Sequence, residues 1–406
     1  MAMTRGLPCV AVALIAVIFS DVVLGAALEL QPSASIRLFY DDNAALTTQE
    51  HDFSAGSEFL GAVGISRETE AVTLQGIARL NLLLDAAGDV YRDKDNQLVS
   101  LLFASKGELS RWQVYGSWRR DSIVRAATVT QEGDANVEPD DDVDAGLVQV
   151  SIRRNRLVLR PSWSRELSPR SAVGVGYRLD HVVYDDSAEG LFDYQDHALS
   201  GYHFYRITER DQITTSLNLK SYRSSGGVRE EGEWDNDRFN IMLGLQHSYS
   251  ETASGHFQVG WYKARFANIE ESGDTDGYLF RIYGEKRTGL TRFSARIGRT
   301  NFSSGAGDVV NADELSLSMV RDLTETMGFA LSVRAFQSKS LRSDNPYTNR
   351  RYLALTPTLS WQITRWWSLD TSYRYRRQKR DWEINYDSAE SNSVYLTVRY
   401  ERPASL

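Results

Sequence analysis

The chain has 406 residues, a formal net charge of −8, one cysteine and a mean hydropathy of −0.40. So low a mean hydropathy excludes a protein that crosses a membrane with several apolar helices. A single cysteine excludes an internal disulfide and a thiolate metal site.

The first elements in the chain predict a cleaved signal peptide over residues 1–27. Arg5 supplies a positive charge, Leu7–Phe19 is an apolar run, and Val23–Ala27 offers small residues for cleavage. The alternative, a membrane anchor, is disfavoured because the run is shorter than the roughly 20 residues that a helix needs to cross a bilayer. Cys9 lies within this segment. We expect residues 28–406 to form one domain, because no break in composition and no Gly/Ser linker divides them.

Short turn signals recur through the remaining chain, and runs that alternate apolar and polar residues separate them. Their spacing is about 40 residues, with one longer step of about 60, which is the size of a β-hairpin repeat. In chain order they are Ser66–Glu70, Lys106–Ser110, Glu166–Arg170, Ile207–Asp211, Ser250–Ser254, Arg287–Thr291, Leu323–Thr326 and Ile363–Arg365. Strict alternation of tight and long connections indicates a membrane-spanning barrel instead of a soluble sandwich or propeller.

Each tight turn joins two strands, and one further strand lies at each end of the set. The sequence therefore predicts an all-β fold: a transmembrane, antiparallel, up-and-down β-barrel of about 18 strands, with both termini on the tight-turn side. The longer step is explained by an outer loop, residues 121–145. In the strand after it, the apolar residues change parity near residues 153–156, which predicts a β-bulge there.

The charged residues separate into acidic outer loops and basic strand faces. The arginines that we place opposite the apolar face, as lumen and anion-binding residues, are Arg79, Arg111, Arg119, Arg160, Arg178, Arg281, Arg292, Arg296, Arg334, Arg374, Arg376 and Arg399, and Lys220 and Arg238 join them. Only Glu58, Asp180, Glu285 and Asp370 oppose them. Rings of arginine select anions in wide pores. The alternative is that these arginines pair with carboxylates of loops folded inward and brace the wall.

The long outer loop is the candidate gate, because it is acidic and long enough to fold into a basic lumen. Its acidic residues are Glu138, Asp140, Asp141, Asp142 and Asp144. Their spacing lacks the central glycine of an EF-hand, so a solvated outer face is preferred to a calcium site. We expect no metal and no cofactor.

Catalytic motifs are absent from the sequence. No G-x-S-x-G, H-E-x-x-H or Walker-type pattern is present, and the six histidines belong to no catalytic motif. We therefore expect no enzymatic activity.

Several short segments resemble the exopolysaccharide-locus-associated family of outer-membrane β-barrel porins. They are Tyr40–Asn43, Arg120–Ser122, Leu167–Pro169, Ile207–Arg210, Leu323–Glu325, Leu359–Thr364 and Ser391–Val394. The resemblance implies an outer-membrane location and a role in transport or secretion. One departure is the C-terminus, where Tyr400 is followed by six residues instead of ending the chain.

The hypothesis is a channel in the outer membrane of a Gram-negative bacterium, with periplasmic termini. It would pass an anionic solute or acidic exopolysaccharide through an Arg-lined lumen. The alternative is a structural or surface-interaction barrel plugged by its own acidic loops. The expected partners are outer-membrane lipid and lipopolysaccharide, the barrel-insertion machinery and an exopolysaccharide synthesis or export apparatus, with no nucleic acid.

Overall fold

A computed structural model describes residues 28–48, 51, 53–87, 95–122, 152–185, 191–225, 235–267, 272–304, 308–341, 349–380, 388–402 and 404–405. Eighteen long strands account for most of them. They are β1 Glu29–Asp41, β2 Ser54–Glu68, β3 Val72–Ala87, β4 Asp95–Lys106, β5 Ser110–Ser122, β6 Arg153–Ser168, β7 Ser171–Tyr184, β8 Asp193–Arg206, β9 Asp211–Ser225, β10 Asp235–Ser250, β11 Ala253–Ala267, β12 Ser272–Thr288, β13 Thr291–Ser304, β14 Asp308–Asp322, β15 Met327–Ser340, β16 Arg350–Gln362, β17 Trp367–Arg380 and β18 Ser388–Glu401. A two-residue strand, β19 Ala404–Ser405, follows.

The sheet is antiparallel throughout and closes on itself. Every strand from β1 to β18 pairs with its neighbours in sequence, and β1 also pairs with β18, from Ser33 opposite Glu401 to Asp41 opposite Ser393. Closure satisfies the backbone hydrogen bonds that an open edge would leave exposed. The predicted eighteen-stranded, up-and-down barrel is therefore confirmed.

All eight predicted turn signals coincide with tight connections between paired strands. A two-residue turn links β12 to β13, and its Gly289 adopts a φ of 56°. This left-handed conformation carries no steric penalty in glycine. The described ends of the chain lie on the same side as these turns, because Glu29 pairs with both Ser66 and Ser405.

Alternation along each strand separates an apolar outer face from a polar inner face. In β18 the outward Val394, Leu396 and Val398 are 47%, 38% and 39% exposed, whereas Tyr395 and Thr397 between them are 4% and 3% exposed. The same pattern of exposed Leu, Ile, Val, Phe and Trp continues around the barrel. Such a belt is solvated poorly by water and suits the hydrocarbon core of a bilayer.

The predicted bulge at residues 153–156 is wrong. β5 and β6 pair without interruption from Ser122 opposite Arg153 to Ser110 opposite Arg165. The parity of the apolar residues changes because Ile152 points inward, where it is buried with Val182 and Tyr184. Val148 and Val150 lie outside the described residues.

No helix in the described part of the chain is long and apolar enough to cross a membrane.

Candidate functional site: the barrel lumen

The interior of the barrel differs from side to side. Around the closing seam, formed by β17, β18 and β1, the inner face is packed with side chains. Asp41, which is fully buried, accepts hydrogen bonds from Arg376 Nη2 at 2.7 Å, Ser391 Oγ at 2.8 Å and Ser393 Oγ at 2.9 Å. The backbone N–H of Asn43 donates a further bond to Asp41 Oδ1 at 3.0 Å. This seam cluster joins the first and last strands of the barrel.

Two further arginines stack on one aromatic ring beside the seam cluster. The guanidinium carbons of Arg374 and Arg37 lie 5.1 and 5.9 Å from the centre of the Tyr395 ring. Arg37 also pairs with Glu58 at 3.5 Å, and the side chains of this pair are 5% and 7% exposed. Cations so deeply buried stabilise the wall and contribute little charge to a water-filled passage.

The opposite part of the interior contains an open cavity of about 1120 Å³. Strands β2 to β9 form most of its wall. Its basic side chains are Arg79, Arg119, Arg156, Arg160, Arg178 and Lys220. Amide and hydroxyl groups stand between them, from Gln75, Gln113, Asn218, Ser100, Ser162 and Ser200.

Both carboxylates of this lumen cavity are already paired. Asp180 accepts from Arg156 Nη2 at 2.5 Å and Arg178 Nη2 at 3.1 Å. Asp196 lies 3.3 Å from Arg238 Nη2. Among the described lining residues, six cationic side chains therefore stand with two carboxylates, which makes this part of the lining basic.

A second basic stripe follows the inner faces of β12, β13 and β15, away from the lumen cavity. Arg281 and Arg292 are exposed on this face, and within the described residues neither takes part in an ion pair. Arg296 lies 5.8 Å from the ring centre of Tyr283, and Arg334 pairs with Glu314 at 3.0 Å. The lumen therefore has basic groups on two sides.

The ends of β13 and β14 bend into the lumen: β13 separates from β12, while β14 stays paired with β15 up to Val310 opposite Ser340. β12 and β13 pair only from Thr288 opposite Thr291 up to Phe280 opposite Arg299. Beyond Arg299, β13 remains paired with β14 alone, through Asn301 opposite Asn311 and Ser303 opposite Val309. We call the described residues 300–304 and 308–312 the inner hairpin. Its Phe302 and Ser303 line the same lumen cavity as strands from the far side of the barrel.

Polar contacts fix the inner hairpin to the walls that it approaches. Ser303 Oγ donates to Asp196 Oδ2 of β8 at 2.5 Å and accepts from Arg238 Nη2 of β10 at 2.6 Å. Asn301 Oδ1 accepts from Asn240 Nδ2 at 3.4 Å. On the returning strand, Asn311 Nδ2 donates to Tyr262 Oη at 2.8 Å.

Apolar packing holds the same hairpin from its other side. Val309 is fully buried in a cluster with the inward side chains of Tyr262, Ala264, Phe266 and Leu279. The inner hairpin thus occupies part of the lumen cross-section and is anchored on both of its strands.

The predicted site residues are distributed as follows. All twelve predicted arginines fall on the strand face opposite the exposed apolar belt. Arg79, Arg119, Arg160 and Arg178 meet at the lumen cavity, and Arg374 and Arg376 are buried in the wall. Arg399 lies near the turn side, 3.7 Å from Asp370. Arg111 is exposed at the turn end of β5. Their role in anion binding stays a prediction.

The predicted gate residues Glu138, Asp140, Asp141, Asp142 and Asp144 lie outside the described residues. The element that the structure does place in the lumen, the inner hairpin, is not distinguished in the sequence by length or charge. Its one signal is that the apolar alternation of β13 stops after Ile297, since the next positions on the same face are Arg299, Asn301 and Ser303.

Several interior arginines were missed by the sequence prediction. They are Arg37, Arg154, Arg156, Arg350 and Arg380, which are all less than 10% exposed. The inward position of Arg37 was predictable, because the residues on either side of it, Ile36 and Leu38, belong to the apolar face. Arg154 and Arg156 were hidden by the expected bulge, and Arg350 and Arg380 lie where the strands run further than predicted.

No group of three His, Asp or Glu side chains in the described residues is arranged to hold a metal ion. The described histidine contacts are isolated pairs, such as Ser171 Oγ to His203 Nε2 at 2.9 Å and Asp211 Oδ1 to His247 Nδ1 at 2.7 Å. Both pairs lie beside tight turns on the outward face.

Comparison with known proteins extends only to the fold. No family model matches the chain, and no curated protein matches its sequence. OccK2 (OpdF) of Pseudomonas aeruginosa, solved in complex with glucuronate, is similar with a TM-score of 0.52 and 13% identity, over 94% of this chain and 100% of that chain. A BenF-like porin of Pseudomonas fluorescens Pf-5 has a TM-score of 0.51 and 9% identity, over 93% and 99% of the two chains. OccAB2 of Acinetobacter baumannii has a TM-score of 0.51 and 12% identity, over 93% and 98%. The closed barrel is therefore of the outer-membrane porin type.

Proposed function

We propose that this protein is an outer-membrane channel of a Gram-negative bacterium that passes anionic solutes through its basic lumen. The observation that carries the proposal is the lumen cavity, whose described lining has six cationic side chains and two carboxylates. An anion that enters this basic cavity gains Coulomb attraction. No bond is made or broken in this activity.

Two other observations agree with this function. The exposed apolar belt suits a bilayer, and porins of this fold have short turns on the periplasmic side, so the termini would be periplasmic. The similar OccK2 barrel was solved in complex with glucuronate, a sugar acid, which supports an anionic solute for a barrel of this fold. Outer-membrane lipid, lipopolysaccharide and the barrel-insertion machinery are then its expected surroundings, and contact with an exopolysaccharide apparatus rests on the family resemblance alone.

The alternative is a structural or surface-interaction barrel that transports nothing. It is favoured by the buried arginines around the seam and by the inner hairpin, since both fill the interior with protein. The open cavity of about 1120 Å³ favours the channel over this alternative, because a packed plug would be expected to fill it.

Solute flux into liposomes tests the proposal. Glucuronate and glucose are matched in size and differ in charge, so we expect the reconstituted protein to admit glucuronate faster. The double variant Arg79→Gln, Arg160→Gln is expected to reduce this preference, because both side chains line the lumen cavity. The matched control is Arg377→Gln, whose side chain is 55% exposed and pairs with Glu390 on the outward face. Equal entry of the two sugars, or no entry of either, would contradict the proposal.

A further inference from the structure

The inner hairpin divides the lumen at the level of the lumen cavity. Ser303 touches both β8 and β10, although its own strand β13 is separated from β10 by β11 and β12. Phe302 faces the same space as Arg79 and Arg119 of the far wall. A solute that crosses through the lumen cavity therefore passes between the inner hairpin and the wall formed by β2 to β9.

An ion pair fixes the base of this hairpin, at the point where β13 separates from β12. Arg299 donates from Nε and Nη2 to the two carboxylate oxygens of Asp313 at 2.6 and 2.7 Å, a bidentate geometry. The same guanidinium carbon lies 4.5 Å from the ring centre of Tyr278 on β12. Planar, two-point pairs of this type fix orientation as well as distance. Clamped at its base and anchored along both strands, the inner hairpin is held as a fixed part of the lumen.

The lining chemistry narrows the class of solute further. Cationic groups, amides and hydroxyls share the lining of the lumen cavity, as Lys220 and Asn218 do two residues apart on β9. Amides and hydroxyls both donate and accept hydrogen bonds, so they suit a solute that carries hydroxyl groups next to its negative charge. The volume of about 1120 Å³ is close to the range of roughly 300–1,000 Å³ found for pockets that hold one small molecule.

We propose that the solute is a compact hydroxylated acid, of one or two sugar-acid units, which crosses with the inner hairpin in place, and that acidic polymers are excluded. This inference rests on the proposed function, and it narrows the solute from anions in general to small hydroxylated acids. A polymer would thread the barrel only if the inner hairpin left the lumen, which requires breaking its contacts to Asp196, Arg238 and the apolar cluster around Val309.

A cross-link between the inner hairpin and the wall tests the inference. Asn240 Nδ2 and Asn301 Oδ1 are 3.4 Å apart, so the variant Asn240→Cys, Asn301→Cys would place two thiols close together. A short bis-thiosulfonate reagent would join them, and a reductant would release them. The only natural cysteine is Cys9, so each single variant treated with the same reagent is a matched control.

Two measurements are made on the locked and released channel: entry of glucuronate into liposomes and entry of a hexameric uronide. We expect glucuronate entry to change by less than about twofold on locking, and the hexamer to be excluded in both states. Loss of glucuronate entry on locking, restored by reductant, would overturn the inference, because the inner hairpin would then have to move for any solute. Entry of the hexamer through the released channel would overturn it as well.

A shortened variant keeps the test independent of cross-linking. Thr300 pairs with Ala312, so replacing residues 301–311 by Asn-Gly would close β13 and β14 with a two-residue turn. We expect this variant to admit the hexamer, and its continued exclusion would contradict a sieve formed by the inner hairpin. If no variant admits even glucuronate, the proposed channel function itself fails, which is a different outcome from a failed size limit.

Discussion

The seam cluster gives a sharp prediction about stability. Replacing Asp41 by asparagine preserves the size of the side chain and removes its charge. Arg376, whose side chain is 2% exposed, would then lose the carboxylate charge that now lies 2.7 Å away. Removing one partner of a buried ion pair costs about 3–5 kcal/mol. Because the new amide oxygen would still accept a bond from Ser391 or Ser393, we expect about 3 kcal/mol for Asp41→Asn.

The assay is urea unfolding of the refolded protein in detergent–lipid micelles, followed by the fluorescence of its nine tryptophans. The matched control is Asp42→Asn at the neighbouring position, which accepts from Asn392 N at 2.6 Å on the exposed side of the seam. It should cost about 1 kcal/mol or less. The double variant Asp41→Asn, Arg376→Gln should lose less free energy of unfolding than the two single variants lose together. Equal free energies of unfolding for Asp41→Asn and the wild type would refute the assignment of Asp41 as the buried counter-charge.

Further predictions concern the channel and its turns. Anion preference should fall between 0.1 and 1 M salt, because the Debye length shrinks from about 10 to about 3 Å, and flux ratios at the two concentrations check this. The double variant Asn301→Ala, Ser303→Ala should speed backbone hydrogen exchange in residues 300–312, measured by mass spectrometry, since both side chains anchor the inner hairpin; unchanged exchange would count against this anchoring. Gly289→Val should destabilise the barrel by about 1–2 kcal/mol in urea, because its φ is 56°. Gly284→Val, an outward strand position with no atom within 4 Å of the added Cβ, should be near neutral.

The barrel was predictable because its determinants are local. A tight turn needs only a few residues, and an apolar residue at every second position reports lipid contact directly, as in Val394, Leu396 and Val398. Strand number then follows by counting turns. The alternation also predicted that Arg79 and Arg160 lie on the inner faces of their strands, without any knowledge of which strands are neighbours.

The division of the arginines was not predictable, because it depends on contacts between distant residues. Arg376 and Arg79 occupy equivalent positions in their alternating patterns, yet Arg376 is buried against Asp41, 335 positions away, and Arg79 lines a cavity. The segments Tyr40–Asn43 and Ser391–Val394 each resemble the outer-membrane porin family, but they lie at opposite ends of the sequence. Their pairing across the seam appears only when the barrel closes. The inner hairpin was missed for the same reason, since its departure from β12 follows from long-range contacts to Asp196 and Arg238.

The most direct test of the central claim is the ion selectivity of single channels in planar bilayers with a salt gradient. The account predicts resolved openings whose reversal potential has the sign for anion preference, and a weaker preference in the Arg79→Gln, Arg160→Gln variant. A cation-selective channel, or a correctly folded barrel that never conducts, would contradict it.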